Sequence, residues 1–180
     1  MKFVFAVSLA AFALAACQQS STVRESMAGG DYRRLDGASL VLNQEISVSA
    51  GKARVFIQNG AVGQGFDSYQ PHCAFEIASV NHDGFAIAAD TFVIAKVEGS
   101  IQQVVSIEPA RVAALGLFAG LNGGGSASYY QGYHFWLSSM EQPEVRRMSC
   151  FGVYAQPYEL YAPTMEEIGQ ALGPLAEIRQ

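Results

Sequence analysis

Cys73-Ala74-Phe75-Glu76-Ile77 sets a cysteine and two large apolar side chains on alternate positions, with Glu76 turned the other way. A period of two is that of a strand with one face on a core, so Cys73, Phe75 and Ile77 are expected on the buried side. Met148, Cys150 and Gly152 share a face in the same manner, while Phe151 and Val153 make that later run apolar on both sides. A central strand covered on two faces would read this way.

Outward from these two stretches the same texture continues. Ser39–Leu42, Ile46–Val48, Ala53–Gln58, Cys73–Val80, Phe85–Ala88, Thr91–Val97, Ile101–Ile107, Gly132–Ser138 and Val145–Tyr154 read as strands. Asn59-Gly60, Asp83-Gly84 and Glu98-Gly99-Ser100 supply turn residues that tolerate positive φ. Short, regularly punctuated strands predict an all-β domain, an antiparallel β-sandwich or small barrel. Pro109–Leu121 reads equally as helix or strand, since Gly116 and Gly120 weaken a helix there. Near the C-terminus, Thr164-Met165-Glu166-Glu167 is a capping box. It starts a short helix that packs Ile168, Leu172 and Leu175 on the sheet.

The N-terminus has a different character. Met1-Lys2 gives a positive start, Phe3 to Ala13 is apolar, and Leu14-Ala15-Ala16-Cys17 follows. The apolar run is too short for a bilayer span of about 20 residues and has the parts of a secretory signal. Leu14-Ala15-Ala16-Cys17 resembles the lipobox of bacterial lipoproteins. That resemblance implies a signal peptide over 1–16 and acyl chains, palmitate among them, on Cys17. With Gln18 next, it implies a Gram-negative outer-membrane lipoprotein facing the periplasm. Residues 17–37 are polar and without periodicity, and read as a lipidated cysteine and flexible tether spanning about 25 Å. Residues 38–180 form the β-rich domain.

Removing Lys2 with the leader takes the net charge from −5 to −6. An acidic surface disfavours nucleic acid and anionic headgroups. Once Cys17 carries lipid, Cys73 and Cys150 remain as a pair in an oxidising compartment. A disulfide is the simplest outcome and closes a 77-residue separation, which loop-closure entropy values at roughly 4 kcal/mol. Two buried free thiols, or a catalytic or metal-binding thiol, are the competing outcomes. A bridge could staple neighbouring strands or opposing sheets.

No constellation for catalysis stands out. His72, His82 and His134 lack the spacing of a zinc site, and they read as structural, turn and outward-facing strand residues respectively. Neither Gly-x-Ser-x-Gly nor Ser-x-x-Lys occurs around Gly124-Gly125-Ser126-Ala127-Ser128. Gly123-Gly124-Gly125 lacks a following Lys, and Gly60, Gly63 and Gly65 lack a βαβ setting, so neither group predicts a phosphate cradle. No metal or other cofactor is expected. Tyr129, Tyr130, Tyr133 and Trp136 follow the glycine loop and form the candidate recognition surface; alternatively, alternate members are core residues with Trp136 buried. Strand alternation puts Arg146 and Arg147 on opposite faces, with a salt bridge the expected use.

Pro71-His72-Cys73 and Met148-Ser149-Cys150 loosely resemble the Pro-His-Cys and Met-Ser-Cys runs of proteobacterial envelope lipoproteins. The resemblance implies a disulfide-stapled envelope domain and lends no catalytic residue. The function expected is a non-enzymatic binding or structural lipoprotein. It is held to the membrane by its lipid, with an envelope protein or glycan as partner. A periplasmic hydrolase of cell-wall or lipid substrates is the alternative, and a cleft joining His, Asp or Glu, and Ser would favour it.

Overall fold

The computed structural model describes residues 20–104 and 128–180. Cys17 and the leader lie outside the described residues, as do the helix-or-strand stretch Pro109–Leu121 and the glycines at 123–125. In chain order the elements are β1 (Val23–Arg24), β2 (Tyr32–Arg33), β3 (Ser39–Leu42), β4 (Ile46–Val48), β5 (Arg54–Gln58), β6 (Ala61–Gly63) and β7 (His72–Ile77). There follow β8 (Phe85–Ile87), β9 (Asp90–Val104), β10 (Ser128–Ser138), β11 (Val145–Phe151), α1 (Met165–Leu172) and β12 (Ala176–Arg179). The fold is all-β with one short helix near the C-terminus. Eight strands make a single antiparallel sheet, ordered β12-β3-β9-β10-β11-β7-β5-β6 and curled into a half-barrel. β1–β2 and β4–β8 are separate two-stranded ribbons.

Alternation decides what the sheet buries. Leu40 and Leu42, Phe92 and Ile94, Phe135, Met148, Phe75, and Val55 and Ile57 project from six successive strands into one core and are almost wholly sequestered. Helix α1 closes this core against β5 and β7 with Ile168, Ala171 and Leu172. Its start is the capping box: Thr164 Oγ1 accepts from the Glu167 N–H at 3.2 Å, and the Glu167 carboxylate accepts from the Thr164 N–H at 2.8 Å. The Asn59-Gly60 turn joins β5 to β6, both residues at positive φ (52° and 71°), as a two-residue hairpin twist requires.

Cys73 and Cys150 are direct partners on the adjacent strands β7 and β11, and they form a disulfide with Cα atoms 4.1 Å apart. Narrow, non-hydrogen-bonded antiparallel pairs hold their Cα atoms about 4.5 Å apart, which brings facing side chains within bonding reach. The bridge therefore staples neighbouring strands.

Two expectations fail for identifiable reasons. Glu98-Gly99-Ser100 is no turn: β9 runs unbroken through it because β10 pairs with it throughout, Gly99 opposite Tyr133. Nor are residues 20–37 a free tether. Val23 and Leu35 are fully buried in the core, β1 pairs with β2, and the Ser21 N–H donates to the Val97 carbonyl at 2.9 Å. Two apolar residues twelve apart create no periodicity, yet each fills a core position. Strand β12, pairing with β3, also escapes the sequence pattern, since Ala176-Glu177-Ile178-Arg179 is too short to show an alternation.

Candidate functional site

The sheet face turned away from the core gathers the polar chemistry, and register fixes its rows. Arg54, Glu76, Arg147, Trp136 and Lys96 stand opposite one another across β5, β7, β11, β10 and β9. The neighbouring row is Phe56, Ala74, Ser149, His134 and Glu98. Cross-strand neighbours on one face touch, so these rows set which groups meet.

Glu76 is the hub. Arg147 donates to its carboxylate through Nε at 3.0 Å and Nη2 at 2.9 Å, Arg54 stands 3.7 Å away, and Ser149 Oγ donates at 3.0 Å. Burial by itself would raise the Glu76 carboxyl. The Arg147 hydrogen bond, the Arg54 and Arg147 charges and the Ser149 hydroxyl outweigh it and hold the group below its ordinary value. His134 Nδ1 lies 2.7 Å from Ser149 Oγ. Burial, reinforced by the charge of Arg147, lowers the imidazole pKa.

A histidine, a serine and a glutamate thus meet, and the proton inventory fixes what they can do. An ionised carboxylate only accepts, so the single Ser149 proton goes to Glu76, and His134 Nδ1 must be the donor to Ser149. In a hydrolytic triad the imidazole takes the serine proton and the acid stands behind the imidazole. Here the acid holds the serine, and its proton affinity is lowered. Ser149 is 1% exposed. The order Glu76–Ser149–His134 is that of a closed structural chain. His134 does face off the core as expected, but it is buried in this chain.

At the other end of the face lies an aromatic cluster. His72 stacks on Phe66 with centroids 3.6 Å apart and meets Tyr130 edge-on at 5.4 Å, with Phe56 and Phe151 beside it. A cavity of about 70 Å³ opens among Arg54, Phe66, His72, Glu76, Tyr130 and Ser149. Nδ1 of His72 has no hydrogen-bond partner among the described residues. Burial pushes the imidazole down to about 4, offset in part by the Gln70 backbone.

The sign of the pH effect follows. The unfolded chain binds this proton near pH 6.5 and the folded chain only near 4, so the unfolded state holds more protons in between. Stability from this group is whole above pH 6.5, falls as the pH drops toward 4, and levels below. Urea midpoints between pH 7 and 4 will show a decline of up to about 3 kcal/mol attributable to His72, by the free-energy equivalent of its shift. His72→Phe keeps the stack and flattens that portion of the profile. An unchanged profile would refute the assignment.

The four aromatic residues expected as a recognition surface do not converge on one. Alternation sends Tyr133 to the core side beside Phe135, while Tyr130 and Trp136 take the outer face. Tyr130 and Tyr133 are each 9% exposed, and burial raises both phenols. Tyr129 is half-buried and joined by backbone bonds to Ala155. Tyr130→Ala will lower stability by about 2–4 kcal/mol, as removal of a buried large side chain does, and Tyr129→Ala by much less. Equal urea midpoints for the two variants would contradict this placement.

Arg146 and Arg147 also depart from simple alternation. The register shift between Val145 and Arg147 is a bulge, and both guanidinium carbons come to lie 5.2 Å from the Trp136 ring centroid. Trp136 Nε1 donates to Glu98 at 2.9 Å. The expected salt bridge is present as Arg147–Glu76. His82 is exposed in its turn.

The Glu76–Ser149–His134 chain was missed because no local spacing encodes it. Counting outward from a Cys73–Cys150 pairing would have found half of it, since that register sets Ser149 against Ala74 and Arg147 beside Glu76. Among the described residues, no group of three His, Cys, Asp or Glu side chains could hold a metal ion. No described helix is long and apolar enough to cross a membrane. No protein-family model, curated protein or solved structure matches the chain.

Proposed function

We propose that the protein is an envelope lipoprotein, anchored to the outer membrane through Cys17, whose β domain binds a partner or supports an assembly. The observation that carries this reading is the Cys73–Cys150 disulfide. It uses the two cysteines left over by the lipobox, and disulfides of this buried, structural kind belong to oxidising compartments. Labelled palmitate should enter the wild-type protein in growing Gram-negative cells and be lost in Cys17→Ala. Absence of label, or label retained in the variant, overturns the anchor.

Recognition is better served by the segment between β6 and β7 than by the β10 aromatics. Tyr69 is 72% exposed and meets Tyr154 edge-on at 6.0 Å. Around it, Asp67, Gln70, Asn59 and Gln58 are linked by hydrogen bonds that hold the loop in shape. A preformed tyrosine with a polar surround suits an envelope protein or glycan. A photocrosslinker placed at Tyr69 should capture one discrete species in intact cells. A smear of bulk membrane proteins counts against it.

The hydrolase reading draws on the meeting of Glu76, Ser149 and His134 beside the cavity. It requires Ser149 to become a nucleophile although its proton is already given to Glu76. A fluorophosphonate probe should leave Ser149 unlabelled; stoichiometric labelling would establish the enzyme instead.

A further inference from the structure

We infer that the β1–β2 hairpin and the residues leading into it form a bilayer-contacting face, so that the domain sits on the membrane rather than standing off it. This rests on the proposed acylation of Cys17. Its starting point is the place where the described chain begins. Ser20 Oγ donates to the Asp36 carboxylate and accepts from the Val97 N–H at 3.2 Å, and the next residue, Ser21, accepts from the Gly99 N–H at 2.9 Å. Ser20 is therefore fixed to β9. Only Gln18 and Gln19 separate it from Cys17, and three residue steps reach at most about 11 Å. A 20-residue tether would give about 25 Å, but an anchor this short brings the Ser20 side of the domain down to the headgroups.

The surface on that side is suited to the contact. Two grooves meet there, sharing Gln131, Tyr133 and Ala162; one reaches Ser20 and Thr22, the other Arg24, Met27 and Tyr32. The hairpin thus lies beside the anchoring point. Most of its charge is held within it: Arg24 donates to the Gly29 and Met27 carbonyls, and Arg33 pairs with Glu25 at 2.7 Å, while Asp31 is exposed at the turn. Over residues 20–37, Arg24, Arg33 and Arg34 balance Glu25, Asp31 and Asp36, so this segment is neutral in an otherwise acidic chain. The large apolar side chains it turns outward are Met27, 51% exposed, and Tyr32, 64% exposed. A tyrosine with an apolar neighbour is the chemistry of the membrane interface, where the ring takes the headgroup level.

The test uses the full lipoprotein in vesicles of phosphatidylethanolamine and phosphatidylglycerol. A fluorophore is attached through Met27→Cys, Tyr32→Cys or Met140→Cys, and lipids carrying a nitroxide near the headgroup are added. Met140 is 98% exposed just beyond the end of β10 at Ser138, an end that lies roughly 17 Å along the strand from Tyr133 at about 3.4 Å per residue. Most of the emission should be lost at 27 and 32 and almost none at 140. The acyl mass on Cys17 is measured on the same samples. Acylated protein with no quenching at 27 and 32, or with equal quenching at all three positions, overturns the membrane face and leaves the lipoprotein reading standing. A Cys17 without acyl mass overturns both. Hydrogen exchange on the wild-type lipoprotein serves if a variant fails to fold: amides of 25–31 should slow on vesicles relative to detergent micelles, and unchanged rates overturn the inference.

Discussion

Replacing Cys73 and Cys150 together by alanine will lower the unfolding free energy by about 2–5 kcal/mol, the range for loss of a native disulfide from a small domain. The bridge closes a separation of 77 residues, and in the loop-closure view the freed unfolded chain gains most of that amount. Packing adds to it, because both cysteines are at most 1% exposed and their sulfurs fill the core row between Ile57 and Tyr133. The native topology should survive. β7 and β11 remain paired on either side of the lost bridge, Met148 against Phe75 and Phe151 against His72. A native far-ultraviolet spectrum with a much lower urea midpoint is the expected result. Equal midpoints for wild type and double variant would show that the bridge constrains nothing. Reductant should reproduce the shift only after unfolding, since the folded protein shields both sulfurs.

How far the sequence could be read depended on range. Strands whose fate is set by their own alternation, such as β3, β4 and β5, stand within a residue of their expected limits. The start of α1 also stands where expected, because Thr164 and Glu167 act across one turn, although the helix ends at Leu172 and leaves Leu175 beyond it. Features set by a distant neighbour were illegible. Gly99 looks like a turn until β10 lies against it, and Val23 and Leu35 look like tether residues until the core supplies their surroundings. The candidate site belongs almost wholly to this second class. Glu76, Ser149 and His134 come from three strands and meet only because the β7, β11 and β10 registers align them. Arg146 joins Trp136 through a bulge, and nothing in Val145-Arg146-Arg147 announces one.

Gly132→Ala tests that alignment most severely and is expected to cost about 3–5 kcal/mol, a magnitude reserved for substitutions with a specific steric cause. A Cβ at this position would lie 2.1 Å from the Cys150 carbonyl oxygen and 2.8 Å from the Phe151 Cα. Both obstacles are backbone, so no rotamer change relieves them, and β10 would have to part from β11. That movement is opposed on both sides: β11 is bonded to β7 through Cys150, and β10 is paired with β9 along its length. Alanine does reduce the freedom of the unfolded chain, but the gain is only about 0.4–1 kcal/mol, too small to reverse the sign. Gly169→Ala separates this spatial effect from a general intolerance of glycine replacement. Gly169 lies within α1 with nothing inside 4 Å of the added carbon, so the same change should stabilise by up to about 1 kcal/mol through helix propensity. Urea melts of the two variants should therefore move in opposite directions. If Gly132→Ala melts with the wild type, β10 and β11 are not in the register that brings His134 to Ser149, and the polar chain on the outer face falls with it.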